Sequence, residues 1–184
     1  MSYRRARKVP IQGNSERCLV LRQQYAKVML GELEQGRRVI NVDESWLNES
    51  SFYRKIWASK SQPATYSLRN VSPRISLIAA IDNEGNAWYA LNQSNTDSSV
   101  MLLFLRSLAD CLDYESPGWR DDTVFLLDGA RYHTSVETRS HIQVLDLKVL
   151  YSAPYSYSSA SIEHLFAGLK IGELNPRKLP TGKR

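Results

Sequence analysis

Residues 39–43 of the chain are Val-Ile-Asn-Val-Asp, and residues 123–128 are Thr-Val-Phe-Leu-Leu-Asp. Both runs are short, mostly apolar and rich in β-branched or aromatic side chains, which is the pattern of a buried strand. Each run ends on a carboxylate, Asp43 in the first and Asp128 in the second. The sequence therefore predicts two buried strands that both finish at an acidic residue.

The segments around these two strands predict the first helix and a hairpin. Residues 15–35 carry apolar side chains at helical spacing, and Gly36 is placed to end that helix. Residues 74–81 (RISLIAAI) predict a strand, and residues 87–91 (AWYAL) predict its antiparallel partner across a polar turn.

The second half of the chain alternates helices and strands. Asp97 is placed to cap a helix with a predicted buried stripe of Val100, Leu103, Phe104, Leu108, Cys111 and Leu112. Thr134 and Glu137 predict a capping box for a helix over about 134–145. A last strand, Leu147–Tyr151, precedes a helix with Glu163 in its first turn. Its apolar face is Ile162, Leu165, Phe166 and Leu169.

This order of elements predicts an α/β fold with a mixed five-stranded sheet flanked by helices. It is similar to the order of the ribonuclease-H-like fold. In such a sheet the strands that carry Asp43 and Asp128 are neighbours at the centre, and the last helix brings Glu163 to the same point. Three converging carboxylates repel one another, and oxygen-only ligands favour hard cations. We therefore expect one or two Mg²⁺ or Mn²⁺ ions that serve phosphodiester cleavage.

Composition and charge exclude several other classes of protein. The 184 residues are 42% hydrophobic and carry a net charge of +5, with basic ends (1–38 and 168–184) and an acidic centre. Cys18 and Cys111 have no metal-ligand spacing, which argues against a zinc finger or a disulfide scaffold. No apolar run is long enough to span a bilayer, and the N-terminus lacks the apolar core of a signal peptide. We expect an intracellular protein, nuclear in a eukaryote and in the cytoplasm or nucleoid of a bacterium.

Three stretches resemble the catalytic domain of mariner-like transposases, a group that includes related bacterial insertion-sequence enzymes. They are residues 39–47 (VINVDESWL), 125–135 (FLLDGARYHTS) and 153–170 (APYSYSSASIEHLFAGLK). The 34 residues between Asp128 and Glu163 match the spacing of one branch of that family. The resemblance as a whole covers the chain from about residue 20 to residue 172.

The resemblance implies an activity and a set of roles. Asp43, Asp128 and Glu163 would be the catalytic residues and the metal ligands for cleavage at transposon ends and transfer of the freed 3′-hydroxyl to target DNA. The expected partner is double-stranded DNA, held by a homodimer, with no small-molecule cofactor and no membrane. The predicted DNA contacts are Arg54, Lys55, Arg131, His133, His164 and Lys170.

The resemblance also suggests a division of the chain. Residues 1–37 would be a basic arm and a linker helix that trails a DNA-binding region outside this chain, so that the chain is a catalytic fragment or the product of a shortened gene. Residues 38–172 would be the catalytic domain, with a clamp-like insertion at 48–72, and residues 173–184 a basic tail. Two features depart from the family pattern: Gly129 replaces an asparagine, and Tyr157–Ser161 replaces a proline-rich loop.

Several alternatives remain open from the sequence. The acidic residues could be ordinary turn or helix-terminal carboxylates, and His133 could be a surface loop histidine. Glu44 is expected to point to the opposite face of the strand from Asp43, because adjacent strand residues face opposite sides. It would then be a structural or supporting carboxylate and not a metal ligand. The chain could also be a domesticated, non-catalytic DNA- or protein-binding relative, or another ribonuclease-H-like nuclease.

Overall fold

The computed structural model describes residues 10–47, 75–93, 96–156 and 160–171. In these residues the strands are β1 (Arg38–Leu47), β2 (Ile75–Asp82), β3 (Ala87–Asn92), β4 (Thr123–Leu127) and β5 (Val149–Tyr151). The helices are α1 (Glu16–Glu34), α2 (Ser98–Glu115), α3 (Val136–Val144) and α4 (Ser161–Ile171). The predicted insertion at 48–72 and the predicted tail at 173–184 lie outside the described residues.

The five strands form one mixed sheet in the order β3-β2-β1-β4-β5. The pairs β1–β2 and β2–β3 are antiparallel, whereas β1–β4 and β4–β5 are parallel. This arrangement confirms the predicted mixed five-stranded sheet with flanking helices. It also puts the strands that precede Asp43 and Asp128 side by side at the centre of the sheet.

The pairing of β1 with β4 sets the positions of the two aspartates along the strand direction. Its register places Asn41 opposite Leu126, and each aspartate follows two residues later. The expectation that the first strand ends at Asp43 is wrong, because β1 continues to Leu47 through its pairing with β2. Asp43 thus lies where β4 has ended, with a strand on only one side.

Helices cover both faces of the sheet. On one face α2 and α3 pack on β1, β2 and β4, with Ile40, Leu105, Phe125 and Ile142 in the core. On the other face α4 buries Ile162 and Phe166 against β2, as its predicted apolar face requires. Apolar burial on both sides is the main stabilising contribution to this three-layer arrangement.

The predicted buried stripe of α2 is rotated by about one residue. Leu103 is 66% exposed, whereas Met101 and Leu105 are fully buried. Residues 100–105 are all apolar and so cover every side of the helix; the pattern alone therefore leaves the phase of the helix open, and the fit against the sheet decides it. The predicted cap is present, since Asp97 accepts a hydrogen bond from the Val100 amide at 3.0 Å.

The start of α3 also differs from the prediction. Ser135, not Thr134, caps the helix and accepts a hydrogen bond from the Thr138 amide at 3.1 Å. The Thr134 hydroxyl instead donates to the Ala130 carbonyl within the loop after β4. The predicted capping box is therefore wrong, because a local hydrogen bond within that loop engages the Thr134 side chain.

Helix α1 agrees with the predicted helix over 15–35, and Ser15 caps it. No residue of this helix is fully buried. Near the C-terminal end of the helix, Glu32 forms an ion pair with Lys148, the residue just before β5. Nζ of Lys148 lies 2.7 Å from Oε1 of Glu32. In the described part of the chain, no helix is long and apolar enough to cross a membrane.

The rotated stripe of α2 can be tested with two leucines on the same helix. Leu105→Ala should lower the free energy of unfolding by about 2–5 kcal/mol, because it leaves a cavity in a fully buried site. Leu103→Ala, the matched control, should change it by only about 0.5 kcal/mol. Urea unfolding measures both, and an equal or larger loss at Leu103 would contradict the observed packing.

Candidate active site

One cleft of about 460 Å³ is lined by Asp43, Asp128 and Glu163 together. It lies beyond the end of β4, and its walls come from residues 128–130, residues 152–156 and the start of α4. The three acidic residues come from three different elements and are far apart in the chain. Folding therefore brings together the set of carboxylates that the sequence singled out.

Asp43 points to the α4 side of β1. Its Oδ1 accepts a hydrogen bond from the Glu44 amide at 2.8 Å. Burial raises the pKa of Asp43 to about 6; the Glu44 amide opposes this shift, and the charges of Asp128 and Glu163 add to it. Asp43 thus carries an electrostatic cost as a carboxylate, which a bound cation would relieve.

Asp128 is held by the loop that follows β4. Its Oδ1 accepts from the Ala130 amide at 2.9 Å and lies 2.6 Å from Nδ1 of His133. The hydrogen bond from His133 is the main reason that the pKa of Asp128 lies below its usual value, and burial opposes it. Because Oδ1 receives both of these hydrogen bonds, Oδ2 is the oxygen that they leave for a ligand.

His133 lies beneath the cleft and is 0% exposed. The alternative of a surface loop histidine is therefore wrong, and a direct DNA contact by this side chain would need the loop to open. The turn at Ala130, whose carbonyl accepts from the His133 amide at 3.0 Å, folds the chain back so that the imidazole reaches Asp128. In this position His133 fixes the orientation of the Asp128 carboxylate.

Glu44 faces the opposite side of β1 from Asp43, as expected, and does not line the cleft. Its Oε2 lies 4.0 Å from Nε2 of His133, and both atoms are buried without a hydrogen-bond partner. Burial, and to a smaller extent the charge of Asp43, raises the pKa of Glu44 to about 7. Glu44 thus forms the back of the site behind Asp43 and His133.

Glu163 is exposed in the first turn of α4 and reaches the cleft from the open side. The start of this helix is held by Asn41, whose Oδ1 accepts a hydrogen bond from the Ile162 amide at 3.1 Å. Sequence reasoning missed Asn41. The available signal was a buried amide inside an otherwise apolar strand, two residues before Asp43.

The other predicted DNA contacts fall into three groups: exposed residues beside the cleft, a partly buried lysine, and residues that the structure does not describe. Arg131 and His164 are exposed beside the cleft, in the loop after β4 and in α4. Lys170 is partly buried, and its Nζ donates to Oγ of Ser45 at 2.6 Å, so this contact joins α4 to β1. Arg54 and Lys55 lie outside the described residues.

The N-terminal segment also touches the cleft. A Cβ atom on Gly13 would lie 3.3 Å from Cγ of Tyr155, which lines the cleft with a backbone φ of 60°. That left-handed conformation is unfavourable for tyrosine, so packing against Gly13 helps to hold it. Gly129 is different: the space around it is open, and its backbone would accept the asparagine of the family pattern.

The residues of the cleft fit a hard divalent cation by donor type and by charge. All three acidic side chains offer oxygen, and the raised pKa of Asp43 reflects its burial first and the negative charges of Asp128 and Glu163 second. Among the described residues, however, no three His, Cys, Asp or Glu side chains already lie close enough to form a metal cage. Closing a cage would need side-chain rotation or oxygen ligands from the substrate.

Solved structures support the fold independently. The Mos1 mariner paired-end complex with Mn matches with a TM-score of 0.69 and 25% identity, over 92% of this chain and 52% of that one. A pre-cleavage Mos1 transpososome matches with a TM-score of 0.70 and 23% identity, over 92% and 53%. The Mos1 catalytic domain with Raltegravir and Mg matches with a TM-score of 0.63 and 22% identity, over 84% and 72%.

The chain spans about half the length of the Mos1 chains in the transposon-end complexes. Among curated proteins no sequence match was found. A family model described as DDE superfamily endonuclease matches residues 38–184. This match covers β1–β5, α2–α4 and all three acidic residues of the cleft. Its extent, together with the ribonuclease-H-like fold shared with Mos1, shows that the chain belongs to the DDE superfamily of endonucleases and is related to the catalytic domains of mariner transposases.

Proposed function

We propose that this chain cleaves DNA phosphodiester bonds with Mg²⁺ or Mn²⁺ and transfers the freed 3′-hydroxyl to target DNA, as a transposase catalytic domain. The observation that carries the proposal is the meeting of Asp43, Asp128 and Glu163 in one cleft. The Mos1 structures that match this chain include complexes with transposon ends and with Mn or Mg, which supports the choice of substrate and ion.

Each side chain has a separate task in this proposal. Asp43 and Asp128 stand at the same height on neighbouring strands and hold one or two ions from the floor of the cleft. Glu163 approaches from α4 and completes the ligand set. When bound, the ions lower the pKa of a water and stabilise the charge on the leaving oxygen. His133 keeps Asp128 turned toward the cleft and charged, because its hydrogen bond favours the carboxylate.

The substrate must approach from the open side of the cleft. Arg131 and His164 are exposed there and can contact the phosphates that flank the scissile bond. We propose that two transposon ends are held by a homodimer. Phosphate contacts by basic side chains predict binding that weakens as salt rises.

A second candidate function is a non-catalytic, domesticated relative that binds DNA or a protein partner. One observation favours it: the described residues form no ready metal cage. Mn²⁺ titration separates the two candidates. A catalytic site should bind Mn²⁺ through the three carboxylates, whereas a scaffold that has lost its chemistry should show no binding that depends on Asp43 or Asp128.

The first test of the activity is Asp128→Asn. Removing the carboxylate charge should reduce Mg²⁺-dependent cleavage of a transposon-end DNA by about 100-fold or more, because an amide is a much weaker ligand. Asp110→Asn, which makes the same change at an exposed position on α2, should retain wild-type cleavage. Undiminished cleavage by the Asp128 variant would refute the proposed mechanism.

The raised pKa of Asp43 predicts a pH dependence of metal binding. Below its pKa of about 6 the carboxyl group keeps a proton that the ion must displace, so Mn²⁺ affinity should rise with pH. The expected slope is about tenfold per pH unit below pH 6, levelling above that value. Isothermal titration between pH 5 and pH 8 measures it. A flat profile for the wild type, or the same slope in Asp43→Asn, would show that protonation of Asp43 does not cause the pH dependence of Mn²⁺ affinity.

A further inference from the structure

A single buried amide connects the three elements that carry the acidic residues. Asn41 is 4% exposed and points to the α4 side of β1. Its Nδ2 donates to the Leu126 carbonyl of β4 at 3.2 Å, and its Oδ1 accepts from the Ile162 amide of α4 at 3.1 Å. The Ser161 hydroxyl approaches the same oxygen at 3.5 Å.

Each backbone group that Asn41 binds lies one or two residues before an acidic residue. Asp43 follows Asn41 by two residues, Asp128 follows Leu126 by two residues, and Glu163 directly follows Ile162. In a strand, a step of two returns to the same face, so the amide and both aspartates face the same way. On α4, Ile162 and Glu163 both lie within the first turn. The two hydrogen bonds of Asn41 therefore hold backbone positions within two residues of Asp128 and Glu163, and Asn41 itself is two residues from Asp43.

We propose that Asn41 is the positioning residue that sets the mutual placement of Asp43, Asp128 and Glu163. It acts through the backbone of β4 and of α4, and it does not line the cleft itself. Buried polar groups in proteins are satisfied by specific partners, so this amide tolerates one arrangement of the three elements.

The start of α4 needs a hydrogen-bond acceptor from outside the helix, and Asn41 provides it. A helix begins with backbone amides that have no partner in the helix, and a side chain just before it usually accepts one of them. Here the acceptor comes from β1, 121 residues earlier in the chain. The cap thus fixes where the helix starts relative to the sheet, and with it the position of Glu163.

The test compares two asparagines whose side chains each donate one hydrogen bond to a backbone carbonyl and accept one from a backbone amide. Asn41→Leu keeps the size and removes both hydrogen bonds. The control is Asn83→Leu, because Asn83 accepts from the Val39 amide at 2.9 Å and donates to the Arg37 carbonyl at 3.2 Å, at the opposite end of the strand. Mn²⁺ affinity is measured by titration, and amide exchange is followed in the first turn of α4.

We expect Asn41→Leu to bind Mn²⁺ about 10- to 100-fold more weakly and to exchange the Ile162 amide faster. In cleavage assays kcat should fall while KM for DNA is unchanged, because the DNA-facing side chains remain. Asn83→Leu should match the wild type in all three measurements. Wild-type Mn²⁺ affinity in Asn41→Leu, or an equal loss in Asn83→Leu, would overturn the inference.

A conservative variant separates positioning from folding. Asn41→Asp keeps an oxygen acceptor for the Ile162 amide and loses the amide donor to Leu126. Protection of the Ile162 amide should therefore return toward the wild-type level, and its failure to return would show that Asn41 does not cap α4.

The inference rests on the proposed function only where its test measures Mn²⁺ binding. If the wild type binds no Mn²⁺, the proposed function fails, and amide exchange alone decides the role of Asn41. Faster exchange of Ile162 in Asn41→Leu but not in Asn83→Leu would then support it. Unchanged exchange in Asn41→Leu would overturn it.

Discussion

The parallel pairing of β1 with β4 is the constraint on which the rest of the site depends. Its register puts Asn41 opposite Leu126, so Asp43 and Asp128 are level although 84 residues lie between them. Because β4 ends at Leu127 while β1 continues along β2, a gap opens beside Asp43. That gap is the floor of the cleft. A slip of one residue would turn one aspartate to the opposite face of the sheet.

The two aspartates have opposite pKa shifts although they share one cleft. Burial raises the pKa of Asp43, whereas the hydrogen bond from His133 lowers that of Asp128. One carboxylate is thus ready to hold a cation at neutral pH, and the other gains most from the arrival of that cation. This difference comes from the surroundings and not from the residue type, since both are aspartates near the end of a buried parallel pair.

The order of the elements and the convergence of the three acidic residues could be predicted from the sequence, because two short apolar runs each lead to an aspartate and the last amphipathic helix carries Glu163 in its first turn. The phase of α2 could not, since residues 100–105 are all apolar and only the fit against the sheet buries Leu105 instead of Leu103. The burial of His133 depends on a turn at Ala130 that has no strong local signal. Tertiary contacts decided both features.

The loop before Glu163 shows how a local signal can be replaced by a distant one. Residues 157–161 lack the prolines that, in the family pattern, stiffen this loop and start the helix. The loop sequence alone therefore does not determine where Glu163 lies. The hydrogen bond that Asn41 accepts from the Ile162 amide supplies a start for α4 that does not depend on those prolines. A buried amide left without its partner costs about 1–3 kcal/mol, so the cap penalises any other start of the helix. The placement of Glu163 is then a property of β1 as much as of its own loop.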